Sequence, residues 1–188
     1  VSVAFFFDFI YRCFLCYDLA DGAVYLQWND LVSEGLTALF ALLSCSYYFV
    51  VGRSYGGGRY DFRAFRFFHF VPALWGLCRL LTILAKMVSV LVDTQTVCEV
   101  LFLVALLLFL LSFATAVVTS RHAGRAVVFF GLLVFVCGCV LALPGLSVWF
   151  TGHRGLLNGS VYFGPADLLL GVFALAFVQD LRRRSAAD

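Results

Sequence analysis

The chain has 188 residues, of which 63% are hydrophobic and 13% charged, with a formal net charge of +2. A soluble domain needs about a quarter of its residues charged, so most of this chain's surface has to face lipid or other protein. The small net charge says little by itself, but nucleic-acid binding is not expected, because the basic residues fall beside apolar stretches.

Six apolar stretches take up nearly the whole length, at about 1–17, 31–51, 67–92, 98–119, 126–144 and 160–180. A bilayer crossing takes about 20 residues. The expected fold is therefore all-α: a polytopic integral membrane protein, one domain of about six transmembrane helices with short loops. Alternating the sides puts Arg53, Arg59, Arg63, Arg66, Arg121, Arg125, Arg182, Arg183 and Arg184 on one face, and only Arg154 on the other. The positive-inside rule then places both termini on the cytosol-like or matrix-like side. The chain opens on Val1 rather than methionine, as a processed, imported protein or a partial sequence does.

The first stretch carries Asp8 and Arg12 four residues apart, on one helical face, where an intrahelical ion pair lowers the cost of both. An acidic loop follows, with Tyr25 and Trp28 suited to the headgroup boundary. The second stretch starts near Glu34 and is rich in small residues (Ser33, Gly35, Ala38, Ala41, Ser44, Ser46), which let helices approach closely in lipid. A glycine-rich turn at 52–58 lacks any phosphate-loop pattern. Arg59, Arg63 and Arg66 then alternate with aromatics, as in a helix that begins in the interface. Pro72 marks a kink or the entry into the membrane core.

The third stretch is the polar one. Arg79 and Lys86 share a face two turns apart, and a cation at the centre of a span costs about 2.5–3.5 kcal/mol. Glu99 and Asp93 are the candidate partners. The residues Asp8, Arg12, Glu34, Arg79, Lys86 and Glu99 form the set of in-span charges, available for pairing with other subunits or for an ion path. The fourth and fifth stretches are almost purely apolar and read as lipid-facing or packed on hydrophobic partners. Arg121 and Arg125 make a basic hairpin between them, and Pro144-Gly145 is expected to end the fifth. In the sixth, Pro165 and Asp167 suit the first turn of a helix.

The seven cysteines lie in or beside apolar stretches and read as reduced, buried thiols. No metal site is expected from their spacing. The three histidines fall near membrane boundaries and no haem is expected. No catalytic constellation is visible, so the chain is not expected to be an enzyme by itself. Arg59, Arg63, Arg66, Arg121, Arg125, Arg182 and Arg183 are the candidate lipid-headgroup residues, for anionic phospholipids such as cardiolipin. The function expected from these features is a non-catalytic integral subunit of a larger complex. An energy-transducing complex of the respiratory chain or ATP synthase type, in the mitochondrial or another organelle inner membrane, is the expected host, with other membrane subunits as partners. A small ion- or proton-coupled carrier using Arg79, Lys86 and Glu99 is the alternative read from the residues.

Residues 5–92 also carry a set of short motifs: Phe5-x-x-Asp8-x-x-x-Arg12, Tyr25-x-x-Trp28-Asn29-Asp30, the series Arg59, Arg63, Arg66 and His69, and Val71-Pro72-Ala73-Leu74. These resemble parts of the second, third and fourth helices, and the following linker, of the voltage-sensor domain of voltage-gated cation channels. The resemblance implies that Phe5 and Asp8 form a charge-transfer site and that Arg59, Arg63 and Arg66 sense the field. No pore signature accompanies it.

Overall fold

The computed structural model describes residues 1–21, 28–57, 66–87, 94–119, 124–150 and 165–185. These form six α-helices: α1 (Ser2–Asp21), α2 (Trp28–Gly57), α3 (Val71–Met87), α4 (Thr94–Thr119), α5 (Gly124–Phe150) and α6 (Pro165–Ser185). A 3-10 turn, Arg66–Phe70, leads into α3. Pro72 is the second residue of α3. It therefore marks the helix start, where a missing N–H leaves no bond unmade.

Among the described residues four stretches are long and apolar enough to cross a membrane: Leu31–Arg53, Phe67–Ala85, Thr96–Ala116 and Arg125–Pro144. The stretches expected to cross at the two ends of the chain are helical, as α1 and α6, but do not reach that degree of apolarity. Asp8, Arg12 and Asp18 interrupt the first, while Asp167, Asp180 and the closing arginines interrupt the last.

Consecutive helices pack on one another, and α6 returns to touch α1. The core runs through Phe5, Tyr47, Trp75, Phe102, Phe109 and Leu170. Of the two readings of the fourth stretch, packing on hydrophobic partners is the one seen: Phe102, Leu103, Leu106, Phe109, Leu110 and Ala114 of α4 are all buried. A helix apolar all round has no polar face to tell lipid from core. The fifth stretch does not end at Pro144. The helix runs on to Phe150 with Pro144 inside it, the apolar sequence on both sides holding it despite the lost backbone bond.

Close packing joins α5 and α6. A Cβ on Gly138 would stand 3.2 Å from the backbone oxygen of Asp167, and one on Gly171 would stand 3.4 Å from Cα of Phe135. A Cβ on Gly131 would come closer still, 2.7 Å from Cγ2 of Val178. Small residues at such crossings supply most of the packing available in lipid, where no hydrophobic force draws helices together.

Candidate functional site: a buried ionic network

The in-span charges gather into two clusters within the bundle. The first is centred on Arg12 of α1. Its Nε donates to Asp8 Oδ2 at 3.0 Å, one turn back on the same helix. Its Nη1 donates to Glu34 Oε2 of α2 at 2.5 Å. Trp75 of α3 adds a donor from outside the hairpin, its indole N–H reaching Asp8 Oδ2 at 3.0 Å. All three ionised groups are buried.

The second cluster is centred on Arg79 of α3. It grips Asp167 of α6 with both terminal nitrogens, Nη1 to Oδ1 at 2.6 Å and Nη2 to Oδ2 at 3.0 Å. This bidentate fork is the strongest geometry an arginine–carboxylate pair adopts. Nη2 also donates to Glu99 Oε1 of α4 at 2.7 Å. Arg79 is 3% exposed, so the ion pairs are screened by protein rather than by water.

Trp75 joins the two. It lies one helical turn before Arg79, and the Arg79 guanidinium stands over its ring, 5.6 Å from the centroid. One face of the indole thus meets a cation while its N–H serves the other cluster's carboxylate. Cation–π contacts gain strength when desolvated, to about 2 kcal/mol. Phe5 packs edge-on against the same ring with centroids 4.8 Å apart. A polar cleft of about 240 Å³ lies between the clusters, lined by Arg12, Glu34, Arg79, Glu99, Tyr11 and Thr82 among others.

The sequence expectations fare unevenly. The Asp8–Arg12 pair forms, and Glu99 is a partner of Arg79. Asp93 and the side chain of Lys86 lie outside the described residues. Arg12 and Arg79, expected to be available for pairing with other subunits, each bind two carboxylates of this chain. Asp167 and Trp75 were missed as network members. Asp167 reads as a first-turn residue complementing the helix dipole, and nothing in its neighbourhood points to an arginine 88 positions away.

Of the lipid-headgroup candidates, Arg125 and Arg182 are exposed. Arg59, Arg63 and Arg121 lie outside the described residues, as do the side chains of Arg66 and Arg183. Tyr25 of the voltage-sensor-like motifs is also outside them. Phe5 and Asp8, its implied transfer site, both contact Trp75. His69 is buried and shares a 2.8 Å hydrogen bond with the Tyr47 hydroxyl. All seven cysteines are free thiols. Comparison with protein-family models, with curated proteins and with solved structures returned no match.

Proposed function

We propose that this chain is a non-catalytic, helical integral membrane subunit of a larger membrane assembly, whose ionic network serves to lock its own helices. The observation that carries the proposal is that both buried arginines are held by carboxylates of the same chain, while the outward faces are apolar. Phe7 and Phe14 on α1 and Phe129 and Val136 on α5 are among the large exposed side chains. Partner subunits on this reading bind apolar surface, not unpaired in-span charge.

The reading extends to six crossings. α1 and α6, with 20 and 21 residues, are each about 30 Å long at 1.5 Å per residue, enough to span. Asp8, Arg12 and Asp167 are neutralised within the bundle. Both termini then share the arginine-rich side, where exposed Arg125 and Arg182 meet anionic phospholipid. An energy-transducing complex of an organelle inner membrane is the host this reading favours.

The test is to extract native membranes in mild detergent, separate them on a native gel and identify what co-migrates. Co-migration with one large, defined complex supports the proposal, and migration alone overturns it. A second reading, an ion- or proton-coupled carrier, is favoured by the polar cleft that Arg12, Glu34, Arg79 and Glu99 share. Glu99→Gln separates the two. A carrier loses transport in reconstituted vesicles, whereas a structural subunit keeps its assembly and has no flux to lose.

A further inference from the structure

We draw no further inference here: the strongest candidate, the polar cleft that Arg12, Glu34, Arg79 and Glu99 line between α1, α2, α3 and α4, belongs to the ionic network already described, and with two cations facing two carboxylates nothing in the structure shows what occupies it.

Discussion

The two ionic clusters solve one problem over very different spans of sequence. Arg12 finds its carboxylates 4 and 22 positions away, within a single helical hairpin. Arg79 finds its own 20 and 88 positions away, on two other helices. The first cluster stiffens a unit that local sequence already defines. The second ties α3, α4 and α6 into one body. Loss of the second should therefore disorder more of the molecule than loss of the first, although each removes one guanidinium.

The largest effect is expected from Arg79→Leu. It leaves Asp167 buried, and Glu99 half-buried, without their cation, and breaking a buried pair from one side costs about 3–5 kcal/mol. Loss of folded protein in a detergent thermal-stability assay measures it. Adding Asp167→Leu and Glu99→Gln should recover most of the loss, since an apolar replacement of the whole set is often tolerated. Arg12→Leu should cost less than Arg79→Leu in the same assay, because Asp8 keeps the Trp75 donor. Equal costs would remove the distinction drawn between the clusters.

Gly138→Val comes next. Its side chain meets the Asp167 backbone oxygen and forces α6 away from α5, at a cost of about 1–3 kcal/mol. Because the same residue supplies the fork to Arg79, this change and Arg79→Leu should be non-additive in a double-mutant cycle, whereas Gly138→Val and Arg12→Leu should add. Trp75→Phe removes the N–H that reaches Asp8 and weakens the ring beneath Arg79. A hydrogen bond to a charged group is worth about 1.5–3 kcal/mol, and both clusters should register the loss. Tyr47→Phe, which removes the buried bond to His69, should cost least, about 0.6 kcal/mol.

What was legible in the sequence follows the same division. Apolar run length located all six helices, and a four-residue spacing placed Asp8 and Arg12 together. Glu99 stood out as the nearest acid that begins the next helix. Neighbourhood between distant helices was not legible. Asp167 has the same sequence signature whether it caps a helix or crosses the bundle to an arginine. For α4 the reason is different: with Leu, Phe and Val on every side, its pattern contains no record of which face is inside. Pro144 misled because proline reports a local loss of one bond, while flanking packing decides whether the helix continues.

The distance between Arg79 and Asp167 also has a meaning in time. A polytopic chain enters the bilayer helix by helix from its N-terminal side. The hairpin of α1 and α2 carries its own neutralising partners and can settle as soon as it emerges. α3 enters with Arg79 and gains Glu99 with the next helix, but the bidentate grip waits until α6 follows, three helices after α3. Until then the bundle holds a half-satisfied guanidinium, and a product truncated before α6 keeps it permanently. Such a product is chemically marked as unfinished, and a protease that surveys the membrane for exposed polar groups can tell it from the completed protein.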